Sequence, residues 1–165
     1  MDADSLNNVA VVSVAEAARL GRVTEVLFEI DPMRIAALKA TAGSNEFFVP
    51  FDQVSSFGSD AVMVKTPDVT ELSRQGSSFS HLRSLTTLKK LKVVDEAGTY
   101  VGTIKTIQFD PHSGRVERIL AETGGVLGLG RTHTTIEADA VRGVGDDLLT
   151  VASTPEAPEA PDSLA

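Results

Sequence analysis

Hydrophobic residues along this chain alternate more often than they recur at helical spacing. Val26, Phe28 and Ile30 lie two apart, which predicts a strand with one buried face. Val23 to Val26 is instead a step of three, and Ile104 to Ile107 repeats that step. A break in period two at the same place in two segments predicts a β-bulge in each. Such bulges let a small sheet bend toward closure. Turn-forming residues punctuate the pattern at Asp31-Pro32, Gly58-Ser59-Asp60, Asp110-Pro111, Ser113-Gly114 and Gly145-Asp146-Asp147. Short apolar runs at 61–64 (AVMV) and 148–151 (LLTV) read as the closing strands of two similar units.

The similarity is a duplication. Residues 12–38 and 93–119 align at a constant offset of 81, matching Gly21 with Gly102, Phe28 with Phe109 and Arg34 with Arg115. Farther on the offset is 87, matching Val49 with Ile136, Asp52 with Asp139 and Val64 with Val151. The second copy therefore carries six extra residues, placed within 124–132. Repeats set the architecture, so the chain divides into a first copy at 9–65, a connector at 66–89, a second copy at 90–152 and a tail at 153–165. Within the connector, Pro67 and Asp68 suit a helix start, and Leu82, Leu85 and Leu88 suit a short helical turn. The tail, STPEAPEAPDSLA, is rich in Pro and acids and is expected to be disordered.

Composition narrows the function. Hydrophobic residues make up 42% and aromatics 5%, so the core must be built from aliphatic side chains with a few Phe. Cysteine is absent, which excludes a disulfide framework, a thiolate metal site and a Cys nucleophile. The net charge of −8 opposes binding to phosphate backbones and anionic membrane surfaces. No apolar run reaches the ~18–20 residues needed to span a bilayer. The first residues, MDADSLNN, lack the basic start of a secretory signal, so a soluble cytoplasmic protein is expected.

Candidate chemistry is sparse. The segment Gly125-Val126-Leu127-Gly128-Leu129-Gly130-Arg131-Thr132 resembles a phosphate-binding loop, with Arg131 in the place of the lysine. That loop needs a helix after it, and THTTIEADAV favours a strand. A glycine-rich strand connection is the preferred reading. If Val126, Leu127 and Leu129 are exposed, the segment is a partner-binding loop; if they fold back, they cap the barrel, which their apolar character favours. Deleting residues 124–130 is then expected to abolish partner capture with both copies folded. His112 and His133 without cysteine make a weak metal set. Asp110 and Asp139 fit turns and caps as well as acid–base work. Ser13 and Ser55 lie in no nucleophile elbow. Lys89, Lys90, Lys92, Lys105, Arg115, Arg118 and Arg131 concentrate positive charge in the second copy, either as an RNA-binding face or, preferably, as solvated edges. Phe47, Phe48, Phe51 and Phe57 cluster in the first copy. Adjacent Phe47 and Phe48 must face opposite ways, so one is expected to pack against the other copy, with a second chain as the other option.

The order V-x(8)-G-x-[VI]-x-x-[VI]-x-F, a turn, an Arg-led strand and a terminal D-x-[VL]-x-V strand resembles the PRC-barrel family. KVVDEAGTYVGTIKTIQFDPHSGRV and GGVLGLG of the second copy carry the resemblance best, and VPFDQV (49–54) carries it in the first. The first copy lacks the glycine-rich segment, and the second has IEADAV in place of the Val-Pro-Phe-Asp element. The resemblance implies six-stranded barrels and non-enzymatic docking or assembly roles in bacteria and archaea. The expected fold is all-β: two tandem small β-barrels facing each other, with a short helical connector and a disordered acidic C-terminal tail. The expected function is a non-catalytic adaptor or assembly module with no catalytic residues, no metal and no cofactor. Its partner is another protein, with self-association a second option. The alternative is an RNA- or ribosome-associated maturation factor. An enzyme acting on a small substrate between the barrels ranks last.

Overall fold

A computed structural model describes residues 1–66, 79, 81–124 and 132–153. In the first repeat, β1 (Ala10–Ser13), β2 (Ala18–Ile30), β3 (Met33–Ala42), β4 (Asn45–Pro50), β5 (Val54–Phe57) and β6 (Ala61–Val64) form a sheet ordered β4-β3-β2-β1-β6-β5. After the short strand β7 (Arg83–Ser84) and helix α1 (Leu85–Leu88), the second repeat follows. It comprises β8 (Lys92–Asp95), β9 (Tyr100–Phe109), β10 (Val116–Thr123), β11 (Thr132–Glu137), β12 (Val141–Val144) and β13 (Leu148–Val151). Their order, β11-β10-β9-β8-β13-β12, repeats the first sheet strand for strand. Each sheet includes one parallel pair, β1 with β6 and β8 with β13.

The predicted bulges are present and equivalent. The β2–β3 register skips Thr24, and the β9–β10 register skips Lys105. A second pair of bulges falls at Ala36 and Glu117, again the same repeat position. Each bulge shifts the pleat, so Val23 and Val26 both point into the core despite their odd spacing. Strand pairing also explains the change of offset. Ala42 pairs with Asn45 across a two-residue turn, whereas Thr123 pairs with Thr132, so the six extra residues lie inside the β10–β11 hairpin. At the front of the repeat the uninterrupted alignment needs correction. Val11 pairs with Gly21 and Val93 with Gly102, so Val11, not Val12, is the counterpart of Val93. The β1–β2 connection holds one residue more than its counterpart, and Ala17 turns there with φ 52°.

The two repeats share one hydrophobic core. Each is preceded by a short leader that packs on the other. A 3-10 turn at Ala3–Leu6 packs on β9 of the second repeat, with Met1 and Phe109 exchanging both backbone hydrogen bonds at 2.9 Å. The equivalent helix α1 packs on β2 of the first repeat, where Ser84 and Arg83 pair with Leu27 and Phe28. Leu6 and Leu88 hold matching places in the leaders and are both fully buried. Burying a leucine side chain contributes about 1.5–3 kcal/mol, so the exchange ties the two folding units together. The leaders also meet each other, with Lys89 Nζ 2.7 Å from Asp4 Oδ1.

A groove between the repeats as the candidate functional site

The repeats contact each other through their β2–β3 and β9–β10 turns and the segments that follow β4 and β11. On one side the junction is filled by rings. Pro50 ends β4, and Phe51 then projects from a 3-10 turn over Gly114 of the second repeat. A Cβ at Gly114 would lie 2.9 Å from the Phe51 ring, and the residue's φ of 78° also suits glycine. Phe51 stacks on Phe57 at 5.7 Å, and Phe57 meets Phe109 edge-on at 5.5 Å. The turn beneath them is held by Asp110, whose carboxylate accepts the His112 backbone N–H at 2.8 Å. That bond, opposed by a desolvation effect and aided by Ser113, holds the Asp110 carboxyl below its ordinary range.

On the other side the junction is open. Repeat equivalence puts Ala138 where the first copy has Phe51, Val144 where it has Phe57, and Met33 where the second copy has Gly114. A groove of about 380 Å³ lies here, reaching from Met33 and Pro32 to Ala138 and Val141. Its lining includes buried Val116 together with Asp31, Arg115, Glu117, Glu137 and Asp139, all exposed. A second cavity of about 230 Å³ opens beside it, lined by Thr134 and Thr135, the counterparts of Phe47 and Phe48. Glu137 and Asp139 border both spaces. All four phenylalanines of the first-repeat cluster are thus replaced by smaller residues in the second.

Other expected site residues fall elsewhere. Gly125, Val126, Leu127, Gly128, Leu129, Gly130 and Arg131 lie outside the described residues. Their flanks, Thr123 and Thr132, pair within an antiparallel hairpin, and β11 follows the segment. A strand there leaves no helix N-terminus for a phosphate, as the strand-connection reading expects. Phe47 is buried in the first barrel, while Phe48 stacks on Phe79 at 4.7 Å. The expected contact of one of these rings with the other copy is therefore corrected. Phe51 and Phe57 reach the other copy, and the outward Phe48 lies against Phe79.

The polar candidates are dispersed. Asp110 caps its turn, whereas Asp139 lines the groove. His112 is exposed in the same turn as Asp110, and His133 Nε2 lies 3.8 Å from Glu122. Ser13 is buried and accepts the Glu16 N–H, and Ser55 donates to the Met63 carbonyl. Among the described residues, no three His, Asp or Glu side chains converge as metal ligands. Among them too, no helix is long and apolar enough to cross a membrane. Basic side chains of the second copy sit beside acids: Lys105 with Glu122, Arg118 with Glu137, each at 3.7 Å, and Arg142 with Glu96 at 3.5 Å.

The groove was missed by reasoning from motifs. Its signal was the loss of a ring in one copy at a position where the other keeps it. No curated protein matches the chain. The model of the PRC-barrel domain family matches residues 1–70 and again 81–157, covering both repeats with their leaders, and the chain belongs to that family as a tandem pair.

Proposed function

We propose that this protein is a non-catalytic adaptor or assembly module that binds another protein through its second repeat. PRC-barrel domains are generally non-catalytic modules, which supports the class. The observation that carries the reading is the unequal junction. Phe51 and Phe57 fill one side, and the matching side is an open groove of about 380 Å³ bordered by Ala138. An accessible recess on a rigid scaffold is where a partner side chain gains the most contact. The loop 125–131 belongs to the same repeat and is a second proposed contact. Lys105, Arg118 and Arg142 each sit beside an acid, which lowers the positive charge they offer to RNA and favours a protein partner.

The test is site-specific photocrosslinking in cells. A photoreactive residue at Glu117 should capture one defined protein, and the same residue at Ser56 in the first repeat should not. Equal capture at both sites, or RNA as the species crosslinked from Glu117, refutes the reading.

A further inference from the structure

We infer that the groove receives an arginine side chain from a basic segment of the partner. This rests on the protein-binding reading above and specifies its chemistry. Three features converge. The first is shape: the matching side of the junction holds a flat ring, Phe51, stacked on another ring and lying over Gly114. The groove occupies the corresponding place, with Ala138 in the position of that ring. Met33 stands where Gly114 does on the ring side, so its flexible side chain shares this space with whatever enters it.

The second is charge. Asp31, Glu117, Glu137 and Asp139 line the groove with Arg115, while Arg118 stands beside Glu137 and Arg142 donates to the Asp139 carbonyl. One carboxylate, Glu137, has a partner in Arg118 at 3.7 Å, a long and exposed pairing. An aromatic side chain would fill the space but could not donate hydrogen bonds to these carboxylates. The third is the apolar part of the lining, Val116, Val141, Met33 and Ile30. A guanidinium is flat, weakly hydrated on its faces and rich in in-plane N–H donors. It can lie on apolar side chains while donating to carboxylates. A lysine ammonium matches the charge but not the plane.

The full chain is titrated with two fluorescent nine-residue Gly-Ser peptides, one carrying two arginines and the other two lysines. Fluorescence polarisation reads binding, and NMR of Met33, Ile30 and Ala138 methyls reads its location. The arginine peptide should bind more tightly and shift those methyls. Glu117→Gln with Asp139→Asn should weaken it about tenfold, as expected for loss of partly exposed charge-assisted hydrogen bonds. Ala138→Phe, which adds bulk to the groove lining, should block it. Glu16→Gln with Asp60→Asn removes the same charge outside the groove and should change little. Equal affinity for both peptides, or no effect of either groove variant, overturns the inference. Capture of a protein by the Glu117 crosslinker together with failed arginine selectivity removes the arginine chemistry and leaves the protein-binding reading standing. Failure of both removes both.

Discussion

Arg34 and Arg115 occupy the same position in the two repeats and pair with each other in an antiparallel bridge. Equivalent residues can pair in this way only if a local two-fold axis passes between them. The reciprocal packing of the leaders obeys the same axis, so the chain is built as a homodimer joined into one polypeptide. In the first repeat Arg34 pairs with Glu29 at 2.9 Å. Glu29 has Asp110 as its counterpart, which instead caps its own turn. Around the axis the two sides have diverged, and the groove lies on the side that lost its rings.

Exchange of the leaders predicts that damage to one repeat's leader is felt in the other. Leu6→Ala should destabilise the protein by about 2–4 kcal/mol, the usual cost of emptying a buried leucine site. Urea denaturation measures the loss. Hydrogen exchange locates it: protection of the Phe109 amide, bonded to the Met1 carbonyl, should fall along with that of β2. Loss confined to the first repeat contradicts the exchange.

The ring-filled junction predicts a coupled pair. Gly114→Ala introduces a Cβ 2.9 Å from Phe51 at a φ of 78°. The cost should be about 1–3 kcal/mol, combining backbone strain with overpacking. In a Phe51→Ala background the steric part disappears and only the backbone part remains. A double-mutant cycle by urea denaturation should therefore give a coupling of at least ~0.5 kcal/mol.

Much of this fold was legible in the sequence because strands and bulges leave a periodic trace. The Val23–Val26 and Ile104–Ile107 steps marked bulges that the structure places at Thr24 and Lys105. The leader exchange was hidden. Ala3 and Leu6 fall in a turn too short to show periodicity, and nothing local says which repeat covers them. The one-residue difference between the first hairpins was hidden too, because Val11 and Val12 are interchangeable by composition. The groove was visible only as a difference between repeats. Aligning Phe51 with Ala138 exposes it, whereas searching either repeat for catalytic or metal motifs does not.

Close backbone approach sets a third expectation. Gly21 lies so near β3 that a Cβ would sit 2.5 Å from the Thr41 carbonyl oxygen and 2.8 Å from the Phe47 ring. The carbonyl belongs to the sheet and cannot swing away. Gly43 has a φ of 65° but open space around it. Gly43→Ala should then cost about 1 kcal/mol through conformation alone. Gly21→Ala should cost roughly 2–4 kcal/mol or prevent folding, since strand separation is forced. Thermal melts of the two variants rank the effects, and a milder Gly21→Ala than Gly43→Ala refutes the contact argument.

Acid should loosen the junction through Asp110. Its carboxylate accepts the His112 N–H, and this bond is the largest influence lowering its pKa in the fold. A group whose folded pKa is depressed stabilises the fold above its unfolded value, about 3.9 for aspartate. That stabilisation is lost as pH falls through the lower folded value. Between pH 7 and pH 5 the contribution is fully present, and it declines below about pH 4. Asp110→Asn keeps an acceptor oxygen but cannot titrate, so its urea midpoint should lie below that of the unmodified protein at neutral pH and approach it in acid. The turn carries Gly114, whose carbonyl accepts the Ile35 N–H at 2.8 Å. Exchange of the Ile35 amide should therefore accelerate in acid relative to intrinsic rates in the unmodified protein, and show less pH dependence in Asp110→Asn. An Ile35 amide equally protected at pH 3 and pH 6 would detach the junction from the Asp110 carboxylate.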